Sequence, residues 1–114
     1  MSGSAHIIGS GQTPCGKFPD ASVASLAVEA LDAALADAGV DAAQVEAIFF
    51  ANALSGLITG QECIRGQVVL RRTPLMGVPI VNVENACASA STALHLGWQA
   101  VAGGVHDVDR KSVV

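Results

Sequence analysis

The sequence predicts an α/β fold with a mostly parallel sheet, and three observations lead there. Short apolar runs alternate with stretches of helical periodicity, in the order strand, helix, strand, helix, strand, helix. Gly, Pro, Asn and Asp mark the joints between them. The cysteine segment Asn85-Ala86-Cys87-Ala88-Ser89-Ala90-Ser91 begins just past the third apolar run, at the carboxyl end of a strand, where such sheets carry reactive groups.

Ala5–Gly9 is the first strand candidate, followed by a turn-rich loop through Gly11, Pro14, Gly16 and Pro19. Asp20 or Ser22 can cap a helix that runs to about Ala38, with Gly39 as its stop. Val23, Leu26, Ala27, Ala30, Leu31, Ala34 and Leu35 lie on one stripe of it at helical spacing. Asp41-Ala42-Ala43-Gln44 resembles a capping box over one short turn. Ala47–Ala51 is apolar and too short for a helix, so it is predicted to be a buried strand. Residues 52–60 are predicted as a loop, and 61–72 as a helix closed by Pro74 and Gly77. Pro79–Glu84 is the third strand, and Ala88 to about Gly103 the third helix.

At 114 residues the chain is at most one domain. Apolar residues make up 51% of it and charged residues only 14%, so its surface calls for cover by further polypeptide or a partner. The net charge of −4, with no basic cluster, argues against nucleic acid as a partner. Ala86–Val105 is the longest apolar stretch, but Ser89, Ser91, Thr92, His95 and Gln99 interrupt it. It reads as a buried helix and not a membrane span. Cys15, Cys63 and Cys87 form neither a close pair nor a disulfide framework. Met1–Ser4 lacks the features of a signal peptide, so a reducing, cytoplasmic setting is expected. No cofactor-binding or metal-ligating residues are read.

Cys87 is the candidate catalytic residue. A helix start offers unpaired backbone N–H groups and the positive end of the dipole, which favour the thiolate that attacks carbon. Small neighbours leave room for a substrate's acyl group. The bland alternative is a buried, inert thiol, which is the reading kept for Cys15 and Cys63. Glu84 and Asn85 are expected to hold the turn through side-chain to backbone bonds, and Trp98 to pack in a core or interface. A nucleophile needs a base within about 3 Å. His95 is eight residues along the same helix, about 12 Å away at the helical rise, and reads as an ordinary helix histidine. His6 and His106 lie toward the opposite end of the sheet from Cys87. Gly9-Ser10-Gly11 makes no complete dinucleotide fingerprint.

Val83–Val101, with Cys87 inside it, resembles the nucleophile segment of the thiolase family, especially the branch of the sterol-carrier and lipid-transfer thiolases. Ile8–Phe18 resembles that family's first strand and loop, and the likeness covers residues 5–108. Ala90 departs from it, standing where many relatives carry glycine and adding a methyl beside the reactive turn. The resemblance implies an incomplete N-terminal half of a layered αβα domain. It implies an acyltransferase of lipid and fatty-acid metabolism, in which Cys87 takes the acyl group of an acyl-CoA as a thioester. Claisen condensation, or the reverse thiolytic cleavage of a 3-ketoacyl-CoA, would follow. Coenzyme A enters as substrate or product. The family's activating histidine and second, acid/base cysteine belong to a later half with no counterpart here, so the fragment alone is expected to be inactive. A homodimer or homotetramer is implied for the longer protein, and a peroxisomal address would lie at its true C-terminus. A ketoacyl synthase-type condensing enzyme and a non-catalytic thiolase-like subunit of a hetero-oligomer are the alternatives.

Residues 1–108 are accordingly expected to form a partial N-terminal domain, with Val105–Val108 leading into a fourth strand. Residues 109–114 are expected to be a non-native tail. Asp109-Arg110-Lys111-Ser112-Val113-Val114 is the translation of GAT CGG AAG AGC GTC GTG, a sequencing-adapter read whose next triplet is a stop. A sheet cut there leaves an edge and a helix face uncovered, so poor solubility or a molten state is expected.

Overall fold

The computed structural model describes residues 3–104 and 111–113. Helix α1 (Val23–Ala38) begins at Ser22, whose side chain accepts from the Ser25 N–H while the Ser25 hydroxyl oxygen accepts from the Ser22 N–H. It ends at Gly39 in the left-handed conformation, as the cap residues predict. A 3-10 turn over Ala42–Gln44 follows, with Gln44 Oε1 accepting from the Asp41 N–H at 3.0 Å. The chain then enters strand β1 (Val45–Ala51).

Two short helices come next, α2 (Ser55–Thr59) and α3 (Arg65–Leu70). Helix α2 lies inside the segment expected to be a loop. Asn52 creates it, because its Oδ1 accepts from both the N–H and the hydroxyl of Ser55, at 2.9 and 2.6 Å. Helix α3 is shorter than the 61–72 expected, because Ile64 stands at φ 43 and cannot continue a right-handed helix. Strand β2 (Ile80–Val83) and helix α4 (Ser89–Ala102) complete the predicted order, and β3 (Lys111–Val113) closes the described chain.

The sheet is parallel throughout, in the order β2-β1-β3, with Ile48 opposite Ile80 and Ala51 opposite Val83. The β1-to-β2 connection steps one way across the sheet and the β2-to-β3 connection steps back. A common hand therefore puts α3 and α4 on opposite faces. On one face Leu31 of α1 and Leu70 of α3 bury Ile48 and Leu75, with Ile80 packed alongside. On the other, Ala93 of α4 buries Phe49 and Val83. Strand β1 thus feeds two cores, Val45 and Ile48 on one face and Ala47, Phe49 and Ala51 on the other, and the layered αβα arrangement is the one expected.

Ala5–Gly9 does not form the strand expected of it. A strand exists only by pairing, and the side of β1 away from β2 is taken by β3. Residues 5–13 carry no regular secondary structure, and the chain before them is tied down where the Gly3 N–H donates to the Ala102 carbonyl at 2.7 Å. They end flush against α1, where a Cβ on Gly11 would lie 2.1 Å from the Ala30 carbonyl oxygen. Ile7 and Ile8 are left 78% and 57% exposed. Val105–Val108, the expected approach to a fourth strand, lies outside the described residues.

Helix α4 is buried on one face only. Ser89, Ala93, Gly97 and Ala102 face inward, while Leu94 and Trp98 are about half exposed. Among the described residues, no helix is long and apolar enough to cross a membrane.

Candidate active site

Strand β2 delivers the chain to the turn Glu84–Ala88, and α4 leaves from it. Cys87 sits in that turn with an exposed side chain. Ala86, immediately before it, stands at φ 47, a left-handed conformation that costs an alanine about 1–2 kcal/mol. The turn is held by short bonds. Glu84 Oε2 accepts from the Ala86 N–H at 2.5 Å, as expected of Glu84. The Asn85 N–H donates to Ser89 Oγ at 2.8 Å, and the Ser89 hydroxyl donates to the Ala86 carbonyl at 2.7 Å. The Asn85 side chain differs from expectation: its Nδ2 reaches Thr92 Oγ1 at 3.0 Å and no backbone group.

Ser89 is the residue sequence reasoning missed. It was visible as a small neighbour of Cys87, but its bonds depend on the left-handed Ala86, and nothing in an alanine announces that conformation.

The other candidates lie apart. Cys15 and Cys63 are both exposed, against the burial expected of them, because each lies in a surface loop; Gln12 Nε2 reaches Cys15 Sγ at 3.8 Å, and Gln61 Nε2 donates to the Cys63 carbonyl. His95 stacks on Trp98 with ring centroids 5.9 Å apart, and His6 Nε2 lies 3.2 Å from Ser4 Oγ. Among the described residues no hydrogen bond joins a histidine to Cys87, and His106 lies outside them. No cluster of three metal-ligating side chains occurs among them.

A cleft of about 190 Å³ borders the turn through Glu84, lined also by Asn52, Glu62, Arg65 and Asn82. Arg65 Nη1 donates to the Asn52 carbonyl at 3.1 Å, while its Nε is buried without a partner among the described residues. Asn82 ties the cleft's wall to α3, accepting from the Gly66 N–H at 2.7 Å and donating to Gln67 Oε1 at 2.7 Å.

The sequence that forms this turn and helix is similar to that of known proteins. The family described as "Thiolase, N-terminal domain" matches residues 5–109. The acetyl-CoA acetyltransferase of Methanothermobacter thermautotrophicus is 38% identical over 102 residues, which are 90% of this chain and 26% of that protein. Its namesake from Methanocaldococcus jannaschii is 39% identical over 102 residues, with the same 90% and 26% coverage. Sterol carrier protein 2 of Gallus gallus is 38% identical over 103 residues, 89% of this chain and 18% of that protein. The chain spans about a quarter of the length of the two acetyltransferases. With its turn, its parallel sheet and these relatives in agreement, the chain belongs to the thiolase family.

Proposed function

We propose that this chain is the N-terminal piece of an acyl-CoA thiolase and that Cys87 is its nucleophile. The observation that carries the reading is the exposed Cys87 on the strained turn between a parallel strand's carboxyl end and α4. The Cys87 thiolate attacks the thioester carbonyl of an acyl-CoA. The tetrahedral intermediate collapses with loss of the coenzyme A thiolate, which takes up the proton that Cys87 gave away, and the acyl group stays on sulfur. A second acyl-CoA, its α-proton taken by the base of the longer protein, then accepts the acyl group in Claisen condensation and frees the Cys87 thiolate. In thiolysis the thiolate instead attacks the 3-keto carbon of a 3-ketoacyl-CoA. The C2–C3 bond breaks with the shorter acyl-CoA leaving as a carbanion that takes up a proton, and free coenzyme A then takes the acyl group from sulfur. The backbone N–H of Cys87 is the proposed donor to the oxyanion. Coenzyme A is substrate and product, and no resident cofactor takes part.

The base and second cysteine lie in the remainder of the protein, so this piece turns over nothing alone. The whole protein is a homodimer or homotetramer, located in the cytoplasm unless its C-terminus carries a peroxisomal address. Residues 109–114 are adapter-derived. The pairing of Lys111–Val113 with β1 is compatible with that origin, because it is made by backbone groups that almost any residue carries.

The test is mass spectrometry of the full-length protein, recovered from the intact gene, after incubation with acetyl-CoA. An acetyl adduct on Cys87, missing in Cys87→Ser, is expected; an adduct that persists in Cys87→Ser refutes the assignment.

A further inference from the structure

Ser89 is the one buried polar side chain among the described residues, 5% exposed. Its buried neighbours along α4, Ala93 and Gly97, offer it no polar side chain. Its hydroxyl must therefore be satisfied by the chain that precedes it. Both halves are used: Oγ accepts from the Asn85 N–H at 2.8 Å, and the proton goes to the Ala86 carbonyl at 2.7 Å. The two grips fall on the residues just before Cys87, while the backbone of Ser89 itself starts α4. Cys87 is thus enclosed in a loop that the Ser89 hydroxyl closes together with two backbone bonds, from the Ala88 N–H to the Asn85 carbonyl at 2.9 Å and from the Ser89 N–H to the Ala86 carbonyl at 3.2 Å.

That closure opposes a definite force. Ala86 at φ 47 is favoured to relax into extended or right-handed backbone, which would swing Cys87 away from its present direction. The other side-chain bonds of the turn, from Glu84 and Asn85, are made by exposed residues for which water can substitute. The bonds of Ser89 are shielded from that competition.

We propose that Ser89 is the positioning residue of the turn, holding Cys87 and its backbone N–H in the one arrangement that presents both to a thioester carbonyl. The inference rests on the acyl-transfer reading of Cys87. Attack on a carbonyl needs sulfur, carbon and oxyanion donor aligned together, whereas alkylation by a small haloacetamide needs only an accessible thiolate. Loss of the hydroxyl should therefore separate the two reactions.

The experiment compares wild type, Ser89→Ala and Ser89→Thr in the full-length protein. Acetylation of Cys87 by acetyl-CoA and alkylation of Cys87 by iodoacetamide are each timed by mass spectrometry. Ser89→Ala is expected to slow acetylation at least tenfold with alkylation within threefold of wild type, and Ser89→Thr, which keeps the hydroxyl, to restore it. A merely structural role would move both reactions together, and that result overturns the inference. Wild-type acetylation that Ser89→Ala leaves intact also overturns it, with the acyl-transfer reading still standing. A wild type that never acetylates Cys87 refutes that reading and the inference with it. Where Ser89→Ala does not fold, hydrogen exchange of the wild-type Asn85 amide decides. Exchange at least tenfold slower than its unprotected rate supports the clamp, and exchange at the unprotected rate overturns it.

Discussion

The backbone N–H of Gly66 donates to Asn82 Oδ1 at 2.7 Å, so the first turn of α3 is fastened to the strand that leads to Cys87. The same amide donates through Nδ2 to Gln67 Oε1 at 2.7 Å. An edge-strand residue thereby caps a helix that has no side-chain cap of its own. The register of β2 against β1 and the seat of α3 on the sheet are coupled at this one side chain.

Asn82→Ala should destabilise the full-length protein by about 1–2 kcal/mol, since the Gly66 N–H is left without its acceptor. Asn82→Asp keeps that acceptor, and Gln67 can turn its amide to donate to the new carboxylate. It should lie close to wild type. Urea unfolding of the two variants checks the pair, and equal losses would show that the bond to Gly66 carries no weight.

Gly66 itself leaves no room for a side chain. A Cβ there would meet Ile80 Cγ2 at 2.8 Å and Phe50 Cβ at 2.8 Å, both fixed by the sheet. Gly66→Ala should therefore push α3 off the sheet and cost about 1–3 kcal/mol, despite alanine's better helix propensity. A urea midpoint at or above that of wild type would mean that the helix shifts freely.

The turn before Cys87 gives predictions of different size for two small changes. Ala86→Gly removes about 1–2 kcal/mol of left-handed strain and restores much of it as chain entropy, so stability should change little. Ala86→Val adds a β-branched side chain where φ is 47 and should cost at least about 1 kcal/mol more than Ala86→Gly. Thermal unfolding compares them, and a valine variant as stable as the glycine variant would show that the turn is free to leave that conformation.

How much of this was legible in the sequence follows from what each residue's conformation depends on. Ser22 and Gly39 bound α1 through bonds to their own neighbours, so their residue types announce the helix. The apolar runs of β1 and β2 are readable from residue type and length alone, although Val81 of β2 is left 47% exposed. Cys87 is readable for the same reason, as a cysteine at a strand-to-helix joint. Ala5–Gly9 was not, because its strand needs a partner whose place β3 occupies. Helix α2 depends on the reach of Asn52 to Ser55, and the Ser89 clamp on a left-handed Ala86. Both are side-chain-to-backbone events that leave hydrophobic periodicity unchanged.

The uncovered surfaces predict how the 114-residue chain behaves by itself. Leu94 and Trp98 are 48% and 50% exposed on the outer side of α4, while Ile7 and Ile8 face solvent at the chain's start. Leu57 and Ile58 of α2 are 76% and 82% exposed as well. Apolar surface on this scale drives association, and none of it is offset by a dense charged surround, since only 14% of the residues are charged. The isolated chain should bind a hydrophobic dye such as ANS, run larger than a monomer on size exclusion and unfold without a sharp transition. The full-length protein should bind no such dye, unfold in a sharp transition and run at the single size of the dimer or tetramer proposed for it. A monomeric 114-residue chain with a cooperative thermal transition would refute the expectation and show that the two small cores beside β1 suffice without that cover.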